Sequence, residues 1–175
     1  MNTLNPIIFL VPVIALILVV LLLLYLLKKV DNKEVFKRFV VITLVLAFLF
    51  NLAWEVLQMP LYKDAPFNIQ HIAFCALASV ADAIMVLLIY FCFALIYKNP
   101  LWVQEFTMLR ILILMLVGGI GAILAEMRHL SLGNWAYDKS MPLIPVIKVG
   151  ISPVLQFMIL PALIYYLSFK VKNYG

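Results

Sequence analysis

Residues 69–97 read IQHIAFCALASVADAIMVLLIYFCFALIY, and this stretch decides the fold. It carries one carboxylate, Asp82, and one histidine, His71. Hydrocarbon offers no partners for backbone N–H and C=O groups, so an apolar run of this length is stable in a bilayer as a helix, which satisfies its own. Asp82 lies far from either end of the run, and so short a side chain does not snorkel to headgroup water. An ionisable group at that depth is costly and reads by default as functional, with polar glue between helices as the structural alternative.

Working outward, four further apolar runs flank this one. The expected helices span about 6–27, 39–58, 69–97, 111–129 and 151–169, with Pro12 a candidate kink in the first. With 67% hydrophobic and 12% charged residues among 175 and a mean hydropathy of +1.15, a soluble domain could not cover itself with polar groups. The reading is an all-α, polytopic membrane bundle of five transmembrane helices forming a single domain over 1–175. The first run lacks a basic leader and is followed by Lys28 and Lys29 rather than a small-residue cleavage site, so it reads as a retained helix. Cys75 and Cys92 lie about 25 Å apart along one helix, too far for a disulfide, and both read as small core residues.

Five helices place alternate links on alternate sides. Lys28, Lys29, Lys33, Lys37, Arg38, Lys98, Arg110, Lys170 and Lys172 then share one face, and only Lys63, Arg128, Lys139 and Lys148 the other. By the positive-inside rule the N-terminus is out and the C-terminus in. The net charge of +5 therefore reports topology. Without a basic patch interleaved with aromatics, no nucleic-acid partner is expected.

Measured from the cationic face, Glu55 is 17 residues from Arg38, Asp82 is 16 from Lys98, Glu126 is 16 from Arg110 and Gln156 is 14 from Lys170. At about 1.5 Å per residue these distances are about 21–26 Å, which puts all four groups in one layer toward the outer leaflet. Asn51, Glu55 and Gln58 share a helix face through i,i+4 and i,i+3 spacing. His71, Cys75, Ser79 and Asp82 form a stripe on the next helix. No Lys or Arg lies at that depth inside the last four helices. Three ionised carboxylates would be uncompensated, so either most are protonated or a cation shares the site. Glu55, Asp82 and Glu126 are thus the candidate catalytic residues, and Asn51, Trp54, Gln58, His71, Trp135, Tyr137 and Gln156 the candidate substrate-binding ones. Glu126 and His129 have the i,i+3 spacing of a metal pair, but a di-metal bundle needs two such pairs and only one is present; no metal ligand set and no cofactor is assigned.

The link 130–150 is long, apolar and rich in proline, and it is expected to fold back as a partly re-entrant lid over the polar layer. Trp135 and Tyr137 within it would otherwise belong to the interfacial aromatic belt. A small-residue patch at Gly118, Gly119 and Gly121 permits close helix approach.

The motifs W-E-x-x-Q-x-P-x-Y from Trp54 to Tyr62 and W-x-Y-x-x-x-M-P-x-x-P from Trp135 to Pro145 resemble those of uncharacterised small bacterial multi-pass membrane proteins. That resemblance implies a bacterial plasma membrane and no particular activity. Trp135-x-Tyr137 followed by a proline-led polar helix is more loosely similar to lycopene-cyclase-type membrane domains. Those carry Pro-x-Glu-Glu where this chain has Pro153-Val-Leu-Gln156, so both acids of that motif are missing.

These readings lead to an intramembrane site that binds or modifies a long apolar, isoprenoid-like lipid by acid/base chemistry, and leave open whether the protein is an enzyme. The alternatives are a small proton-coupled carrier, for which a homodimer would supply the missing symmetry, and an accessory subunit of a membrane complex.

Overall fold

The computed structural model describes residues 10–173, and every described regular element is helical. Five α-helices follow in order: α1 (Leu10–Leu26), α2 (Lys33–Gln58), α3 (Ile69–Ile96), α4 (Met108–Ser131) and α5 (Ile151–Asn173). The expected start of the first helix near residue 6 lies outside the described residues, and so does the side chain of Lys172. Four helices are long and apolar enough to cross a membrane, while α1 contributes 17 described apolar residues.

Helix starts are set by caps. Asn68 accepts from the His71 N–H at 2.9 Å and Thr107 from the Arg110 N–H at 3.4 Å. The start of α2 corrects the expectation of a link as far as Arg38. Asn32 accepts from the Val35 N–H at 3.0 Å, and a 2.8 Å Glu34–Lys37 pair supports the first turn. That turn is charged, so hydrophobic periodicity could not reveal it. Likewise α4 begins at its Thr107 cap, and α5 runs past residue 169 into its basic end.

The main packed pairs are α1 on α3, α3 on α2, α2 on α5, and α5 on α4. In the last pair, a Cβ built on Gly118 would fall 2.0 Å from the Phe157 carbonyl oxygen. Pro161, inside α5, lacks the N–H that would have bonded this carbonyl. The glycine and the proline thus act on one peptide group: α5 frees a carbonyl and α4 approaches it. Gly119 is also tight, with Met158 Cγ 2.9 Å from a built Cβ, whereas Gly121 has nothing within 4 Å. The expected contact patch is therefore two residues, not three.

At the end carrying the α1–α2 and α3–α4 links, Phe39, Tyr90, Phe93, Trp102 and Tyr165 form a buried aromatic cluster. Its polar atoms are satisfied internally: Tyr90 donates to the Pro100 carbonyl at 2.7 Å, Trp102 to the Tyr90 carbonyl at 3.2 Å, and Tyr165 to the Val86 carbonyl at 2.6 Å. Arg110 donates to the carbonyls of Trp102 and Glu105, both at 2.9 Å, and lies over the Tyr97 ring. This end is closed. Cys92, expected in the core, is exposed on the flank of α3, because its helical position turns away from both neighbours; Cys75 is buried as expected.

Candidate functional site

Toward the opposite end, three helices bring their polar side chains together. Asn51, Glu55 and Gln58 project from one face of α2, Asp82 comes from α3, and Ser152 and Gln156 come from successive turns of α5. Gln156 joins them. Its Nε2 donates to Asn51 Oδ1 at 2.9 Å and to Asp82 Oδ2 at 3.3 Å, while its Oε1 accepts from Gln58 Nε2 at 3.3 Å. Gln58 Nε2 also donates to Glu55 Oε1 at 2.9 Å, and Asn51 Nδ2 donates to the Ala47 carbonyl at 2.8 Å. At the open edge Trp54 Nε1 donates to Ser152 Oγ at 3.3 Å, and Ser152 donates to Gln58 Oε1 at 2.8 Å. Asn51, Gln58 and Gln156 are buried, and Glu55 and Asp82 half-buried. An amide is the fitting side chain for such a chain because it donates and accepts at once without carrying charge.

Glu126, on α4, is buried under the α4–α5 link. One of its oxygens, Oε2, accepts from Trp135 Nε1 at 3.2 Å and from the Tyr137 hydroxyl. His129 stacks on Trp135 with centroids 4.3 Å apart and pairs with Asn134 at 2.7 Å. The Glu126–His129 spacing therefore serves to hold the link down. Among the described residues no group of three or more His, Cys, Asp and Glu is arranged to hold a metal.

The link is also fastened to the segment after α2. Tyr62 and Tyr137 form an antiparallel bridge, flanked by Lys63 N–H to Ala136 carbonyl and Asp138 N–H to Leu61 carbonyl, both at 2.9 Å. Tyr137 and Met141 pack against Gly150 at the head of α5; a Cβ there would fall 2.9 Å from Met141 Sδ. The expected fold-back of this link onto α4 and the segment after α2 is present, and backbone bonds such as Asn134 N–H to the His129 carbonyl and Ile144 N–H to the Val149 carbonyl shape it. Burial, then the bond to Glu126, pushes the Tyr137 phenol up, so it stays a donor. At the exposed turn beyond it, the Ser140 backbone N–H and hydroxyl hold Asp138 below its usual range.

Glu55, Asp82 and Glu126 each lie within interaction range of the other two. The only salt bridges among the described residues, Lys37–Glu34 and Arg110–Glu105, are at the closed end. A groove of about 240 Å³, lined by Trp54, Leu57, Gln58, Leu61 and Ser152, opens beside the amide chain between α2 and α5. Its polar wall belongs to the network and its apolar wall to the bundle surface, where Leu57 is 80% exposed.

Of the candidate residues, the geometry gathers Asn51, Trp54, Glu55, Gln58, Asp82 and Gln156 into one network and Glu126, Trp135 and Tyr137 into its lid. His71 is not gathered. It sits in the first turn of α3, its ring 3.2 Å from the capping Asn68 Oδ1, because a helical stripe rises along the helix and carries it about 16 Å from Asp82. Two participants lacked a signal strong enough to single them out. Ser152 precedes Gln156 by one turn and so shares its face. Tyr62 closes the W-E-x-x-Q-x-P-x-Y motif, where nothing in the spacing assigns it a role.

No known protein family, curated protein or solved structure matches this chain.

Proposed function

We propose that this chain is a five-span protein of a bacterial plasma membrane, N-terminus out and C-terminus in. Its acidic layer toward the outer leaflet binds or modifies a long apolar, isoprenoid-like lipid that enters sideways from the bilayer. The observation that carries this reading is the groove between α2 and α5. It joins an apolar wall at the bundle surface to the Gln58–Ser152 edge of a buried chain of amides and carboxylates. A long-chain lipid has the matching two parts, a chain for the wall and a head for the network.

In the enzymatic form, a protonated Glu55 or Glu126 donates to an alkene or leaving group, and Asp82 takes up the proton or stabilises the developing cation. The closed aromatic end favours a one-sided site over a carrier, since a path across the bundle would have to pass Trp102, Tyr90 and Tyr165, all fully buried. Mass spectrometry of lipids retained through gentle purification tests the reading. A stoichiometric long-chain lipid, lost on Asp82→Asn at equal protein level, is the expected result. Retention of bulk phospholipid alone, unchanged by Asp82→Asn, overturns it. Proton flux in proteoliposomes would instead favour a carrier, and a stoichiometric protein partner an accessory subunit.

A further inference from the structure

The Tyr62 hydroxyl has no role in the site as described so far. The main chain of Tyr62 is fixed: the N–H donates to the Met59 carbonyl at 3.0 Å, and the residue bridges to Tyr137. Its ring lies between Tyr137 and Trp135, with centroids 5.5 and 6.5 Å away. Tyr62 follows Leu61 of the groove wall and lies within interaction range of Glu55, Asp82 and Glu126 together.

Every other side-chain donor of the layer is occupied. Trp54 donates to Ser152, Ser152 to Gln58, Gln58 to Glu55, Gln156 to Asn51 and Asp82, and Trp135 and Tyr137 to Glu126. The Tyr62 hydroxyl has no hydrogen-bond partner among the described residues, although Tyr90, Tyr137 and Tyr165 each donate to one. The hydroxyl is not a fully buried atom, so an incoming group can reach it, and a phenol with one apolar and one polar end ordinarily takes such a partner. Burial and then the carboxylates push its ionisation far above the usual range, so it remains an O–H donor.

We infer that the Tyr62 hydroxyl donates to the polar head of the bound lipid, so that the site selects an oxygen-bearing chain, an alcohol or carbonyl, over the hydrocarbon of the same skeleton. This rests on the lipid-site reading above. Tyr62 is then a positioning residue whose ring is held by the lid and whose hydroxyl sets head-group preference. A site built to hydrogen-bond an oxygen rejects the analogue that lacks it.

The test uses the purified full chain in nanodiscs with two probes, a long-chain isoprenoid alcohol and the hydrocarbon of equal length. Trp54 and Trp135 report binding by fluorescence, with Trp102 at the closed end as constant background. The expected result is an alcohol preference of about tenfold in Kd, abolished by Tyr62→Phe while hydrocarbon binding is unchanged. Tyr62→Trp, which keeps an aromatic ring and supplies an N–H donor, should recover part of the preference. A preference that survives Tyr62→Phe, or no preference in the wild type, overturns the role of Tyr62 but leaves the lipid site standing. Failure of the wild type to bind either probe removes the lipid site and this role with it.

Discussion

Gln156 of α5 holds Asp82 of α3 through a 3.3 Å amide–carboxylate hydrogen bond across 74 residues of chain. The same nitrogen reaches Asn51 of α2 at 2.9 Å, so one side chain ties three helices at the depth of the acidic layer. Removing it would strand groups on the other two.

Gln156→Leu conserves bulk but leaves Asn51 Oδ1 and Asp82 Oδ2 without their donor. Each orphaned buried polar group costs about 1–3 kcal/mol. The variant should denature in SDS at a clearly lower detergent fraction than the wild type. Equal stability would mean that the amide chain contributes nothing to the packing of the helices.

Gly118→Ala should be poorly tolerated. The added methyl would meet the Phe157 carbonyl, which is main chain and cannot step aside. Overpacking of this kind costs about 1–3 kcal/mol. Gly121→Ala, with open space around it, should stay within about 0.5 kcal/mol of the wild type. Comparing the two thermal denaturation midpoints in one detergent checks the asymmetry.

Tyr137→Phe removes the hydroxyl bond from the link to Glu126 without disturbing the ring contact to Tyr62. A lost hydrogen bond of about 1.4 kcal/mol raises local opening about tenfold. The Lys63 and Asp138 amides, paired across the bridge that fastens the link, report that opening. Their hydrogen-exchange rates should rise about tenfold; unchanged rates would show that the link is held elsewhere.

Arg110 donates to two carbonyls and to Glu105 Oε2, each at 2.9 Å, and stacks on Tyr97. Lysine has one nitrogen and no planar fork, so Arg110→Lys keeps the charge and loses the geometry. A loss of about 1–3 kcal/mol is expected, read as a lower denaturation midpoint with topology unchanged. A midpoint equal to the wild type would reduce Arg110 to a topogenic charge.

Asp82, Glu55, Glu126 and Gln156 were visible as a layer before any coordinates, since helical rise converts residue count from a cationic boundary into depth. Depth says nothing of azimuth. For this reason Gly121 resembles Gly118 in sequence but faces open space; a shared stripe in turn says nothing of height, and His71 lies about 16 Å along α3 from Asp82.

The existence and order of the helices follow from where the long apolar runs lie, because hydrocarbon leaves the backbone of so long a run no partners but its own. Tertiary structure decided the rest. Which helix lies beside which determined that Gln156 would bridge Asn51 and Asp82, that Phe157 would receive Gly118, and that Tyr62 would meet Tyr137 across 75 positions of chain. Hydrogen bonds and steric contacts act over a few ångströms, and the distances that govern them are created only when the helices pack.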